Sequence, residues 1–114
     1  MNAHYLILTL IMLIGMSVLL AHPPSSILVS FDKAKSLLEV SFKQNVQDTA
    51  THYIEKIDVK VNKKAILMQK LNSQDSKDGG MVYYKVIDLK VGDMVTATGT
   101  CNKFGSKTET YEIK

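Results

Sequence analysis

Beyond residue 25, hydrophobic residues recur at every second position, a period typical of β-strands with one buried face. The alternation is clearest in residues 53–61, where isoleucine and valine alternate with lysine and aspartate. Residues 26–31 and 36–43 follow the same pattern, and the polar segment 32–35 between them predicts a turn. These two segments are therefore expected to form a hairpin.

Turn-forming residues divide the rest of the chain into further short strands. The polar segment 71–80 ends in two glycines and is expected to be the longest loop, while residues 62–64 and 91–93 are expected to be tight turns. The remaining strands are then predicted at residues 65–70, 81–88, 94–101 and 108–113. Such a pattern predicts an all-β, immunoglobulin-like sandwich of about seven antiparallel strands.

The first 31 residues carry no lysine, arginine, aspartate or glutamate, and residues 5–21 form an apolar run of 17 residues. This run is shorter than the roughly 20 residues of a membrane-spanning helix and closer to the apolar part of a signal peptide. We expect residues 1–21 to be a signal peptide and residues 22–114 to form one small domain. An uncleaved anchor is the alternative, because no basic residue precedes the run and Leu19 occupies the −3 position.

Export follows from this interpretation of the leader. The domain is expected to be periplasmic, secreted, or anchored on the outer side of a membrane through residues 5–21 alone. Its formal net charge of +3 comes from 14 lysines and no arginine, interspersed with 11 acidic residues. Because the sequence contains neither a basic patch nor an aromatic stacking motif, nucleic acid is not an expected partner.

Three residues beyond the leader, His22, His52 and Cys101, are strong ligands for transition metals. Each also has an interpretation without metal. His22 could belong to a frayed N-terminal arm, His52 could be a surface imidazole, and Cys101 could be a small buried side chain. Cleavage after Ala21 would make His22 the first residue, so that its amine and imidazole together would suit copper. A thiolate–imidazole nucleophile formed by Cys101 and His52 is a weaker alternative.

Three segments resemble the iron domain of desulfoferrodoxin and superoxide reductase. The segment HYIEKI, residues 52–57, resembles the family's His-Tyr-Ile-Glu-Trp-Ile strand, and CNKFG, residues 101–105, resembles its Cys-Asn-x-His-Gly loop. HPP, residues 22–24, resembles its N-terminal His-x-Pro. The segments occur in the family's order and at similar spacings across residues 22–114. The resemblance implies a seven-stranded immunoglobulin-like sandwich.

In that family, four histidines in a plane and an axial cysteine thiolate hold one iron. The sixth position is open for superoxide, which is reduced to peroxide by one electron. The resemblance implies that His52 and His22 are equatorial ligands and that Cys101 is the axial thiolate.

The ligand set departs from the family pattern at several positions. The family's His-Pro pair falls on residues 46–47, which are Val and Gln, and the histidine of its loop falls on Phe104. The lysine that precedes the first family histidine is replaced by Ala21. The loss of two imidazoles weakens the equatorial field, so metal affinity and redox potential should both fall.

The sequence therefore leads to two functional hypotheses. The first is an exported, mononuclear metal-binding domain, for which the resemblance favours iron and the ligand count favours copper or zinc. Superoxide reductase-like activity is the finer form of this hypothesis. An electron donor or an envelope protein would be its partner. The second is a non-catalytic immunoglobulin-like interaction module with a decayed metal site.

Overall fold

The computed structural model describes residues 23–114, so the apolar run and His22 lie outside the described part of the chain. Within that part, no helix is long and apolar enough to cross a membrane. Residues 23–114 form seven strands: β1 (Ser26–Asp32), β2 (Leu37–Lys43), β3 (Ile54–Val61), β4 (Lys64–Lys70), β5 (Gly79–Lys85), β6 (Met94–Cys101) and β7 (Ser106–Glu112).

The strands form two antiparallel sheets that pack face to face. The three-stranded sheet has the order β1-β2-β5, and the four-stranded sheet has the order β4-β3-β6-β7. The predicted β-sandwich of about seven antiparallel strands is therefore confirmed. β1 packs against β6 and β7, which brings the two sheets together on that side of the molecule.

The core lies between the sheets and follows the alternation read from the sequence. In β2, Leu38 and Val40 are fully buried, and Val95 and Ala97 of β6 face them in the same cluster. Complete burial of a branched apolar side chain contributes about 1.5–3 kcal/mol. Cys101, the last residue of β6, belongs to this cluster and is 4% exposed.

A bulge interrupts the alternation of β3 near its first residue. Ile54 pairs with Cys101 and Lys56 pairs with Thr100, so Glu55 is an extra residue without a partner in β6. Strict alternation from Ile57 would place Ile54 on the solvent face, whereas the bulge turns it inward and leaves it fully buried. The sequence pattern did not predict this change of face.

The expected loop between β4 and β5 is fastened to the rest of the domain by two buried amides. Gln44 Nε2 donates a hydrogen bond to Gln74 Oε1 at 3.2 Å. Gln74 Nε2 donates to the backbone oxygens of Gln44 and Ser76 at 2.8 and 3.0 Å. Gln74 is therefore buried, although the residues on either side of it in this polar segment are exposed.

β5 lies two to three residues earlier than residues 81–88, the range predicted from the pattern. It begins at Gly79, where a Cβ atom would lie 2.0 Å from the backbone oxygen of Phe42. The two glycines therefore belong to the strand, because they let its backbone approach β2 closely. β7 similarly begins at Ser106, which pairs with Thr100, rather than at residue 108.

Candidate functional site

His52 and Cys101 lie at the same end of the four-stranded sheet. His52 comes two residues before β3, Cys101 is the last residue of β6, and the two central strands pair through Ile54 and Cys101. This placement follows from antiparallel pairing, since the start of one strand lies beside the end of the other. The two predicted ligands in the described part of the chain are thus brought to one end of the sandwich.

Asn102 fixes the backbone on both sides of His52. Its side-chain Oδ1 accepts a hydrogen bond from Tyr53 N at 2.9 Å, and its Nδ2 donates to Thr51 O at 3.0 Å. The backbone N of Asn102 also donates to Tyr53 O at 3.0 Å. We call these three hydrogen bonds the Asn102 clamp. They connect the residue after Cys101 directly to both neighbours of His52.

A turn centred on Asp48 holds the same segment from its other side. The backbone oxygen of Asp48 accepts hydrogen bonds from Thr51 N at 3.3 Å and from His52 N at 3.0 Å. Its carboxylate Oδ1 accepts one from Ala50 N at 2.9 Å, which is the local pattern that makes aspartate favourable in turns. The position of the His52 backbone is therefore determined by groups on both sides.

The imidazole of His52 has an unsatisfied polar atom. Nε2 is buried and has no hydrogen-bond partner within residues 23–114. Most buried polar groups in proteins are paired, and leaving one unpaired costs about 1–3 kcal/mol. The ring nitrogen is thus available to a ligand that brings its own compensating interaction.

The sulfur of Cys101 accepts a backbone hydrogen bond. Lys103 N donates to Sγ at 3.4 Å, and Cys101 N donates to Gly105 O at 2.9 Å. The loop after β6 therefore turns back on the cysteine and directs the positive end of an N–H dipole at its sulfur. Such N–H donors commonly surround sulfur ligands of metals.

The beginning of the described chain packs on the same loop. Gly105 has φ +76°, and a Cβ atom on it would lie 2.7 Å from Pro23 Cβ. A side chain at this position would meet both backbone strain and a steric clash. Pro24 is fully buried. The residue that follows His22 therefore contacts the Cys101 loop, while His22 itself lies outside the described residues.

An open cleft of ≈ 600 Å³ is lined by His52, Lys103, Thr51 and residues 45–48. It includes the positions of Val46 and Gln47, where the resemblance would require a histidine. Val46 is 8% exposed, so a small apolar side chain fills that position.

The loop position expected to hold another family histidine is occupied by Phe104, which is 47% exposed. Within residues 23–114, no group of three or more His, Cys, Asp or Glu side chains lies close enough together to hold a metal ion. His52 and Cys101 are thus two candidate ligands without a third in the described part of the chain.

The sequence reasoning identified His52 and Cys101 but not the residues that position them. Asn102 was part of the quoted loop motif, and an amide directly after a candidate cysteine is a signal from which a positioning role could have been predicted. Asp48 and Lys103 had no such signal, because their contacts depend on the tertiary arrangement of two distant loops.

Comparison with known proteins identifies the fold. One solved structure, described as "Superoxide reductase (1Fe-SOR) from Giardia intestinalis", matches with a TM-score of 0.59 and 15% sequence identity. The chain has a superoxide reductase-like fold. The match covers 81% of this chain and 100% of the chain in the solved structure. No family model and no curated protein matches the sequence.

Proposed function

We propose that this chain is an exported protein that binds one transition-metal ion through Cys101, His52 and His22. The observation that carries the proposal is the buried, unpartnered Nε2 of His52 at the same end of the sheet as Cys101. The Asn102 clamp supports it, because fixed ligand positions raise metal affinity.

The donor set fits a metal in part. A thiolate and an imidazole are ligands for iron, copper and zinc, and two of them are held within the described residues. The third is proposed to come from His22, whose neighbour Pro23 packs on Gly105 of the Cys101 loop. If the leader is removed after Ala21, the free amine of His22 adds a fourth donor.

Iron is the first choice of metal, because the solved neighbour is named as a 1Fe superoxide reductase. Copper or zinc is the alternative, since three or four donors that include a thiolate suit both of these metals. Iron bound here would supply a one-electron redox centre, and superoxide reductase-like activity is the finer form of the proposal. Lys103 places a cation in the cleft beside His52, where it would attract an anionic substrate.

A second candidate function is a non-catalytic interaction module. It is favoured by the residues that stand at the expected ligand positions, the buried Val46 and the exposed Phe104, neither of which coordinates a metal. In this alternative, Cys101 is a core residue and His52 is a remnant of an ancestral site.

The test is metal content, measured by elemental analysis of protein expressed from the full chain and purified without chelator or affinity tag. The variants are His52→Ala, Cys101→Ser and His22→Ala, and Asn72→Ala in an exposed loop position is the matched control. We expect about one metal ion per chain in the wild type and in the control, and a thiolate-to-metal absorption band. Both should be lost in the first two variants.

Because Cys101 is buried, its variant needs a check of folding by circular dichroism. His52→Ala leaves the core intact and therefore tests the ligand role independently. Absence of metal in the wild type, both as purified and after titration with Fe(II), Cu(II) and Zn(II), would reject the metal hypothesis. Equal metal content in wild type and His52→Ala would reject this ligand set. Mass spectrometry of the purified protein identifies its first residue and thereby tests the cleavage after Ala21.

A further inference from the structure

The sandwich is open at the side opposite to the contact between β1 and β7. β4 is the edge strand of the four-stranded sheet, and β5 is the edge strand of the three-stranded sheet. Across this side, Tyr84 Oη donates a hydrogen bond to Gln69 Oε1 at 2.7 Å. Beyond this link, towards the end of the domain remote from His52, the two edges enclose a cleft.

This cleft has a volume of ≈ 620 Å³ and an apolar floor. The volume lies within the roughly 300–1,000 Å³ of small-molecule sites in proteins. Leu67, Val86 and Leu89 form the floor and also pack against the hydrophobic core. Ile66 and Ile87 line its walls and are 39% and 79% exposed, so they present apolar surface to a ligand.

The charges around the cleft are mainly positive. Lys64 from β4 and Lys85 from β5 both line it, one from each sheet, and Asp88 is the acidic residue among the lining residues. An apolar cleft with two lysines on its rim is complementary to an amphiphile that carries a negative charge at one end. Neither a neutral apolar molecule nor a cationic amphiphile matches this rim.

We propose that this cleft binds a single fatty acid, with its acyl chain along the apolar floor and its carboxylate between Lys64 and Lys85. The site lies at the opposite end of β3 from His52, since Val61 and Asn62 line it. It is independent of the proposed metal centre, and loss of metal binding would leave it unaffected.

The experiment is a calorimetric titration of detergent-free protein, expressed from the full chain, with dodecanoate below its micellar concentration. Decanoate, dodecanol and dodecyltrimethylammonium are the comparison ligands. We expect saturable binding of dodecanoate at one site. Each buried methylene strengthens association about fourfold, so decanoate should bind about 15-fold more weakly if both additional methylenes are buried. Dodecanol should bind more weakly than dodecanoate, and the cationic amphiphile should bind most weakly.

Variants test where the ligand lies. Ile87→Asp changes an exposed residue of the cleft and should abolish measurable binding without a loss of stability. Lys85→Glu should weaken dodecanoate about two- to tenfold and leave dodecanol unchanged. The matched controls are Leu28→Asp on β1, 56% exposed, and Lys107→Glu on β7, both of which should bind dodecanoate as the wild type does.

Three results would overturn the proposal. The first is the absence of saturable dodecanoate binding, and the second is equal affinity for the anionic and cationic amphiphiles. The third is a protein that binds no fatty acid but dimerises with increasing concentration in sedimentation velocity, with the dimer lost in Ile87→Asp. A second copy of the chain would then cover the cleft.

Discussion

Replacement of Asn102 by alanine removes both side-chain hydrogen bonds of the Asn102 clamp. These are the bonds from Tyr53 N to Oδ1 and from Nδ2 to Thr51 O, at 2.9 and 3.0 Å. The backbone hydrogen bond from Asn102 N to Tyr53 O does not depend on the side chain and should remain. The substitution therefore isolates the contribution of the amide group.

The expected loss of stability can be worked out from these contacts. Each hydrogen bond contributes about 1 kcal/mol net, and the half-buried N–H of Tyr53 that loses its partner adds about 1 kcal/mol more. The free energy of unfolding should therefore fall by ~2–3 kcal/mol. For a domain of this size, this loss corresponds to a decrease in Tm of about 10–20 °C.

The assay is urea denaturation of the protein expressed from the full chain, followed by far-ultraviolet circular dichroism. Asn102→Asp keeps the Oδ1 acceptor but places a carboxylate oxygen opposite Thr51 O, so it should lose at least about 1 kcal/mol of stability. Asn72→Ala, at an exposed position of the loop between β4 and β5, is the control and should stay within about 0.5 kcal/mol of the wild type.

If the free energy of unfolding of Asn102→Ala falls by less than about 0.5 kcal/mol and its slope against urea concentration is unchanged, this reasoning is refuted. That result would mean that other groups hold the segment around His52.

Three further predictions concern the fold. Gly79→Ala should lower the free energy of unfolding by at least ~3 kcal/mol in denaturant unfolding, because its Cβ would meet a backbone oxygen at 2.0 Å. Gly92→Ala, at φ +93° with no atom within 4 Å of its Cβ, should lower it by about 1 kcal/mol. Burial raises the pKa of Tyr84 to about 12. The stability that this group contributes is therefore complete below its unfolded pKa of about 10 and is lost as pH rises towards 12. The urea midpoints measured at pH about 8 and about 11.5 should consequently differ less in Tyr84→Phe than in the wild type. Leu38→Ala empties a fully buried position and should cost about 3–5 kcal/mol in the same assay, against less than about 1 kcal/mol for Leu28→Ala, which is 56% exposed.

The alternation of hydrophobic residues was sufficient to predict the seven strands because most of them have one buried face. It failed at Glu55, where a bulge moves Ile54 from the solvent face to the core. It also failed at Gly79, whose place in β5 depends on the close approach of β2. Both failures arise from the pairing of strands that are distant in sequence, which a local pattern does not contain.

Polarity alone also gave an incomplete picture of the loop between β4 and β5. The polarity of Gln74 and its neighbours predicts a solvent-exposed loop residue, yet Gln74 is 5% exposed and hydrogen-bonded to Gln44. Burial of an amide requires a partner at the right place, and this partner lies 30 residues away in the sequence. A residue's own chemistry does not identify such a partner.

The sequence identified the two candidate ligands of the described residues, but not the groups that position them. His52 and Cys101 were identified because they are among the few strong metal ligands of this chain and because the segments around them resemble the superoxide reductase iron domain. The Asn102 clamp required the backbone geometry of two loops. Export, metal binding, the identity of the metal and the ligand roles of His22, His52 and Cys101 all stay predictions.

The Asn102 clamp also has a consequence for the order of folding events. Its bond to Thr51 joins positions 51 residues apart, whereas β1 with β2, β3 with β4 and β6 with β7 are hairpins of consecutive strands. Loop-closure entropy makes distant pairings slower to form than hairpins. His52 and Cys101 should therefore come to the same end of the sheet only when β3 pairs with β6. If the chain binds metal as proposed, metal uptake during refolding would follow the pairing of β3 with β6 rather than the formation of the hairpins.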